Sequence, residues 1–345
     1  MLTRRIGIMT ALACLPAGAA LSDEPFYLVA ASDSIQRYDL DGNYLGDLIP
    51  SGSDLTSASQ MALSPDGSTL YIGTFQAASN VSIFDANDGT YLGNLHDGGP
   101  IAGPSVIAYS HAGTMLVSDF VGGNVYEYDL DTLAPMDAFF DSANLINPHE
   151  IIAIDDGYLV SDYGANRVFK FNLDGTFDSN FLTNRDGISR PLDMLLTEDK
   201  QTLYVSNNGS GRVTAYDMQT RALLNTIGTG QLTFPEGLEF APDGSLVVAN
   251  AGQGNLKRFD ISTGALLDTF ELIPGVTQGS TDVHLVTPAD CLADVNGDGM
   301  VTPTDFTAWI AAFNASAPEC DQNSDGSCTP TDFTAWIANF NAGCA

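Results

Sequence analysis

One pattern recurs through most of this 345-residue chain, and it restricts the possible folds more than any other feature. Its clearest copies run Pro148-His149-Glu150-Ile151, Tyr158-Leu159-Val160-Ser161-Asp162 and Asn166-Arg167-Val168-Phe169-Lys170-Phe171. They return as Pro235-Glu236-Gly237-Leu238, Leu246-Val247-Val248-Ala249-Asn250 and Asn255-Leu256-Lys257-Arg258-Phe259-Asp260. The apolar residue that opens each copy falls at Met61, Ile107, Ile151, Met194, Leu238 and Val283, steps of 43 to 46 residues. Short strands separated by Asp-Gly or Asn-Gly turns, apolar on both faces, cannot bury themselves within one unit of that size. They must stack on neighbours, and the period is that of a β-propeller.

Each unit reads as four strands. In the second unit these are Gln60–Ser64, Leu70–Thr74, Val81–Asp85 and Thr90–Leu95, the first hairpin turning at Pro65-Asp66-Gly67. The first unit has three strands, Phe26–Ala31, Ile35–Leu40 and Tyr44–Ile49, and lacks an innermost one. The missing strand reappears at Thr281–Thr287. Pairing it into the first blade closes the ring and hides both edges. The expectation is an all-β, six-bladed propeller over 26–288 with strands from both ends sharing one blade.

The runs Pro-x-Gly-Leu-x-Phe-x-Pro-Asp-Gly at 235–244 and Asp-Tyr-Gly-Ala-Asn-Arg-Val at 162–168 resemble the NHL repeat. Ser-Pro-Asp-Gly-Ser-Thr-Leu-Tyr-Ile at 64–72 is similar to YVTN and gluconolactonase-like propellers. The resemblance implies a fold and leaves the activity open. The two residues before each aligned apolar position are Ser59-Gln60, Ser105-Val106, His149-Glu150, Leu192-Asp193, Glu236-Gly237 and Thr281-Asp282. His149, Glu150, Asp193, Glu236, Asp282 and the nearby His284 are the candidate channel site, able in principle to hold a divalent cation or to form an acid/base pair. In the lactonases that resemblance points to, the first position of each pair carries metal ligands. Only Glu236 matches here, with Leu192 where an Asn or Asp would stand. Asp119, Asp162, Asn207 and Asn250, which end successive second strands, are expected to cap turns.

The tail, 290–345, has a different grammar. Residues 294–305 and 321–332 read Asp-x-Asn-x-Asp-Gly-x-x-Thr-Pro-Thr-Asp in both copies. An EF-hand loop places oxygen ligands at positions 1, 3, 5, 7, 9 and 12, with Gly at 6. Loop 1 offers Asp294, Asn296, Asp298, Met300, Thr302 and Asp305; loop 2 offers Asp321, Asn323, Asp325, Ser327, Thr329 and Asp332. Two calcium ions are expected. Each loop runs into a helix with apolar residues at i, i+3, i+4 and i+7: Phe306, Trp309, Ile310 and Phe313, then Phe333, Trp336, Ile337 and Phe340. These stripes are expected to pack together. The tandem loops and duplicated helices resemble a dockerin type I module. That resemblance implies a docking surface at Pro303, Thr304, Pro330 and Thr331, the same in both halves, and a cohesin-like or cell-surface partner.

Charge and the N-terminus set the context. The chain holds 43 acids against 12 bases. Such a surface repels nucleic acid and anionic lipid and favours cations. Arg4 and Arg5, the apolar run Ile6–Leu15 and Ala17-Gly18-Ala19-Ala20 have the pattern of a signal peptide over 1–20. No other segment is long and apolar enough to span a bilayer. An extracellular or surface-attached location is expected, with the periplasm as the other exported compartment. Removing 1–20 removes Cys14 and leaves Cys291, Cys320, Cys328 and Cys344, all in the tail. Four cysteines allow three pairings; Cys320–Cys328 with Cys291–Cys344 is the expected one. The functional expectation is an exported propeller for binding or display, held to a partner through its calcium module. The alternative is an extracellular enzyme (lactonase, lyase or polysaccharide-active hydrolase) delivered by the same module.

Overall fold

The structure, a computed structural model, describes residues 25–53, 55, 57–65, 67–74, 80–95, 101–130, 132–140, 142–273, 280–286, 293, 295–296, 302–315, 317–323 and 327–342. The expected signal segment 1–20 lies outside them, as do Asp66, Cys291, Cys344 and the loop residues Asp294, Asp298, Met300 and Asp325.

The described strands form six antiparallel four-stranded sheets. Blade 2 runs from Ala58–Leu63 to Tyr91–Asn94, blade 3 from Pro104–Tyr109 to Pro135–Ala138 and blade 4 from Pro148–Ile154 to Phe177–Thr183. Blade 5 runs from Pro191–Leu196 to Leu223–Ile227, and blade 6 from Pro235–Phe240 to Leu266–Glu271. In each of these the first strand is innermost. Blade 1 takes its innermost strand, Ser280–Val286, from the far end of the propeller and pairs it with Phe26–Ala31. The register sets Phe26 opposite Val286, Leu28 opposite His284 and Ala30 opposite Asp282. The ring is therefore six-bladed and closed by strand exchange between its ends, as the repeat predicts.

The cores lie between blades. Strand Phe26–Ala31 is buried along its whole length. Its alternation sends Phe26, Leu28 and Ala30 toward Leu70, Ile72 and Phe84 of blade 2, while Tyr27 and Val29 meet Val247, Leu256 and Phe270 of blade 6. The same division recurs in all six interfaces. Each fully buried Leu, Val or Phe contributes about 1.5–3 kcal/mol. The apolar content of both strand faces thus goes into gluing neighbours, which leaves polar duty to the strand ends.

In the tail, α1 (Pro303–Ala315) and α2 (Pro330–Ala342) face each other through stacked rings. Phe306 lies 5.0 Å from Trp336 and Trp309 lies 5.5 Å from Phe333, a near-twofold exchange between the duplicated helices. Trp309 and Trp336 are buried. The expected packing stripe is narrower than its periodicity suggests: Ile310 and Ile337 are 41% and 40% exposed. With only two 13-residue helices, one ridge of rings fills the interface, and the residue after each Trp is turned outward by about 100°. Cys320 and Cys328 form a disulfide across the second loop.

Candidate functional site

The paired positions singled out by the repeat share one local structure. In blades 2 to 6 the innermost strand loses register where each pair sits: between Ala58 and Met61, Pro104 and Ile107, Pro148 and Ile151, Pro191 and Met194, and Pro235 and Leu238. In blade 1 the shift falls at Thr281. These are β-bulges, which leave residues unpaired with the neighbouring strand and re-aim their side chains. A serine on the second strand repairs the damage in three blades. The N–H groups of Val106, Glu150 and Asp193 donate to Ser118, Ser161 and Ser206 Oγ, each at 2.9 Å.

In two of the six bulges the second residue is a carboxylate spent on holding blades together, whereas Gln60 Nε2, at the second position of blade 2, is buried without a partner. Asp282 Oδ1 accepts the Val283 N–H of its own strand (2.9 Å), and Oδ2 accepts the Met61 N–H of blade 2 (2.8 Å). Asp193 does the same between blades 5 and 6, with Met194 N–H at 2.6 Å and the Leu238 N–H. Glu239 joins blade 6 to blade 1 through Phe240 N–H (2.9 Å) and Leu285 N–H (3.1 Å). Gly237 follows from the same crowding, since a Cβ there would lie 2.8 Å from Asp282 Oδ1. His284 completes the closure. Its Nε2 lies 3.1 Å from Asp282 Oδ2 and 2.8 Å from the Met61 carbonyl, with Nδ1 3.8 Å from Glu239 Oε2.

Electrostatics follow from this crowding. Burial opposes charge on His284, but the Asp282 and Glu239 carboxylates outweigh it and lift its pKa to about 10. Burial likewise resists ionisation of Asp282, and His284⁺ with two backbone N–H groups overcomes it, holding the pKa down. Glu150 has no such cation. Burial and the Asp282 charge push it up to about 8, and its partner Asp193 is raised as well by burial and by Glu150. Each carboxyl thus resists ionisation in the presence of the other.

The first residue varies from blade to blade: Thr281 Oγ1 donates across the ring closure to the Ala58 and Ser59 carbonyls of blade 2 (3.1 and 2.8 Å), whereas His149 and Ser105 each keep an unpartnered atom. His149 is buried, Phe120 meets it edge-on at 6.1 Å, and burial lowers its pKa to about 4, so it is neutral. Its Nδ1 has no partner, and neither does Ser105 Oγ at the equivalent bulge of blade 3. Glu236, the equivalent residue of blade 6, has its pKa raised to about 8 by burial and by Asp282. The repeat thus brings His149, Glu150, Asp193, Glu236, Asp282 and His284 to one end of the ring. It gave no sign of Glu239, whose role depends on the closing strand. Among the described residues no group of three or more His, Cys, Asp or Glu side chains is arranged to hold a metal ion.

Asp119 and Asp162 accept N–H groups both from the loops entering their own blades, Gly103 (2.8 Å) and Ile146 (2.7 Å), and from the hairpin turns that follow them, Gly122 (2.9 Å) and Ala165 (2.8 Å). Asn207 and Asn250 accept from Ser189 and Thr233 at 2.8 and 2.7 Å. All four fix the loops that deliver the bulges.

In the tail the described residues of the two loops place the position-12 carboxylate in the same way. Asp305 is fully buried; its Oδ1 accepts Asn296 N–H (3.1 Å) and Oδ2 accepts Thr302 N–H (2.8 Å). Asp332 is equally buried and accepts Asn323 N–H (3.2 Å) and Thr329 N–H (2.7 Å). Amide nitrogens of Asn296 and Asn323 donate to Thr304 and Thr331 Oγ1. A carboxylate fixed at position 12, with asparagine at 3 and threonine at 9, is an oxygen-only donor set that suits a hard cation such as calcium. Pro303, Thr304, Pro330 and Thr331 are exposed, beside the outward Ile310 and Ile337.

Residues 292–341 match the family model of the dockerin type I domain. No curated protein matches the chain. Among solved structures, one from a nidogen/laminin complex is similar at 15% identity and a TM-score of 0.64, over 76% of this chain and 98% of that one. Virginiamycin B lyase from Staphylococcus aureus is similar at 14% identity and a TM-score of 0.53, over 74% and 87%. A protein of unknown function from Bacteroides caccae is similar at 13% identity and 0.60, over 76% and 99%. At these identities the likeness is one of fold alone.

Proposed function

We propose that this chain is an exported binding or display protein. Its propeller receives a ligand at the bulged end of the central channel, and its calcium-loaded tail docks it to a cohesin-like or surface partner outside the cell. The observation that carries the propeller reading is the division of labour within the bulges. The Asp193 and Asp282 carboxylates are consumed in joining blades, whereas Ser105 Oγ, His149 Nδ1 and Gln60 Nε2 are buried without partners. Buried polar atoms without partners cost free energy unless something satisfies them. The tail reading rests on the dockerin match and on the duplicated oxygen-ligand loops, each taking one calcium ion. The enzyme reading draws on Glu150 and Glu236, whose pKa of about 8 suits a general acid near neutrality.

The docking half is tested by titrating the full chain against a type I cohesin with calcium and then with excess chelator. Binding that requires calcium and is lost in the double variant Ile310→Asp/Ile337→Asp supports the proposal. Binding indifferent to chelator refutes it.

A further inference from the structure

The two calcium loops carry the same ligands but are not held in the same way. Each supplies three carboxylates, Asp294, Asp298 and Asp305 in loop 1 and Asp321, Asp325 and Asp332 in loop 2, with asparagine at position 3 and threonine at position 9. Such loops set their calcium affinity by the charge of the ligands and by the rigidity of the site. The charge is equal here, which leaves rigidity.

Loop 2 is fastened in three ways that loop 1 does not repeat. A disulfide joins Cys320 to Cys328, eight residues on, where loop 1 has Ala293 and Val301. Gln322 Nε2 donates to the Glu319 carbonyl (3.1 Å), and Asn339 Nδ2 of α2 donates to the backbone and side-chain oxygens of Gln322 (3.1 Å each). Val295 and Ala312 stand at the equivalent places of the first half and have no polar side-chain atom to do this. Trp309 Nε1 of α1 donates to the Cys320 carbonyl (3.2 Å), whereas Nε1 of the equivalent Trp336 is buried without a partner. A loop already tied before it meets its ion loses less chain entropy on binding.

We propose that loop 2 is the tight calcium site of the module and loop 1 the weak one, the difference being set by the Cys320–Cys328 bridge and the Gln322–Asn339 clamp. This rests on the calcium reading of the tail and goes beyond it. With the bridge formed, loop 2 keeps its ion as part of the fold, while loop 1 fills and empties as the calcium level changes. The α1 half of the docking surface, at Pro303 and Thr304, is then the half that responds to calcium.

Competition titration of the full chain against a chromophoric calcium chelator provides the test. The native chain should take up two ions in two steps whose affinities differ by about tenfold. Asp332→Asn should remove the tight step and Asp305→Asn the weak one. Cys320→Ala/Cys328→Val, which installs the residues of loop 1, should draw the steps together. Gln322→Val/Asn339→Ala keeps the disulfide and should narrow the gap in part. Emission of Trp309 and Trp336 at saturating calcium checks that each variant is folded. Two ions bound with equal affinity, or a tight step lost in Asp305→Asn, would overturn the proposal and leave the tail a calcium module. Unequal steps that both double variants leave unchanged would overturn it as well. Uptake of no calcium would overturn the calcium reading itself, and the proposal with it.

Discussion

The propeller's bulged end and the calcium module both hold buried carboxylates on backbone N–H groups, yet they treat repetition in opposite ways. In the module the Asp305 arrangement is reproduced at Asp332 down to the threonine hydroxyls. In the ring the six equivalent second positions carry Gln60, Val106, Glu150, Asp193, Gly237 and Asp282, and only some of them join blades. Identical halves present the same surface twice, which suits docking to a partner from either half. A ring with one shared backbone device and varied side chains suits one asymmetric ligand. The difference also concerns what each region leans on. The blades have six apolar interfaces, whereas two short helices have a single stack of rings, too little to stand unaided.

That contrast is broken most severely by removing calcium. Chelation together with reduction of the Cys320–Cys328 bridge should unfold α1 and α2 completely while the propeller keeps its cooperative transition. Both tryptophans lie in these helices, at 309 and 336, so their fluorescence reports the module alone. Unchanged tryptophan emission under both treatments would mean that the ring stack suffices.

A smaller effect comes from pH. His284 has its folded pKa raised to about 10, so its stabilising contribution is complete below the unfolded value near 6.5 and is lost as pH rises toward 10. Glu150 and Glu236, raised to about 8, act in the same direction, since the folded state keeps protons that the unfolded chain has released above pH 4.5. His149, lowered to about 4, runs the other way, but only between pH 4 and 6.5. Propeller stability in urea should therefore fall between pH 6.5 and 8, by about 2 kcal/mol from His284 alone. The module, whose Asp332 pKa is lowered, should not change over that window.

An effect of similar size is expected at the serines. Ser161→Ala removes the acceptor of the Glu150 N–H and the hydroxyl that donates to Leu192 O (2.5 Å). Replacing it should cost about 1–3 kcal/mol. Adding a hydroxyl where blade 6 has Ala249 should gain little, because Gly237 and Asp282 already fill that bulge.

Much of this was legible in the sequence. The period placed the blades and the displaced last strand announced ring closure, because both follow from apolar alternation that must be buried. Ligand spacing pointed to the two loops within the region that matches the dockerin model, and each pair fell at the start of an innermost strand. The bulges themselves were not legible, since a bulge shows only against its partner strand. A weak trace existed in the recurring Ser118-Asp119, Ser161-Asp162 and Ser206-Asn207, whose serine repairs the bulge and whose Asx holds the incoming loop. The partners of the channel acids were hidden for a different reason. Asp193 reaches Leu238 and Asp282 reaches Met61, in the next blade or across the ring closure, and no local pattern records which N–H will be there. Ile310 and Ile337 were misplaced into the core because helical periodicity gives the width of an apolar stripe but not the size of what covers it.

The central claim is that the bulge carboxyls do different work, Asp282 joining blades and Glu236 being left to face a ligand. Urea unfolding of Asp282→Asn beside Glu236→Gln tests it most directly. Asp282→Asn breaks a buried ion pair and should cost about 3–5 kcal/mol. Glu236→Gln removes a carboxyl without hydrogen-bond partners and should leave stability unchanged or raise it. Equal losses in the two variants would contradict the division, and a stable Asp282→Asn propeller would remove its foundation.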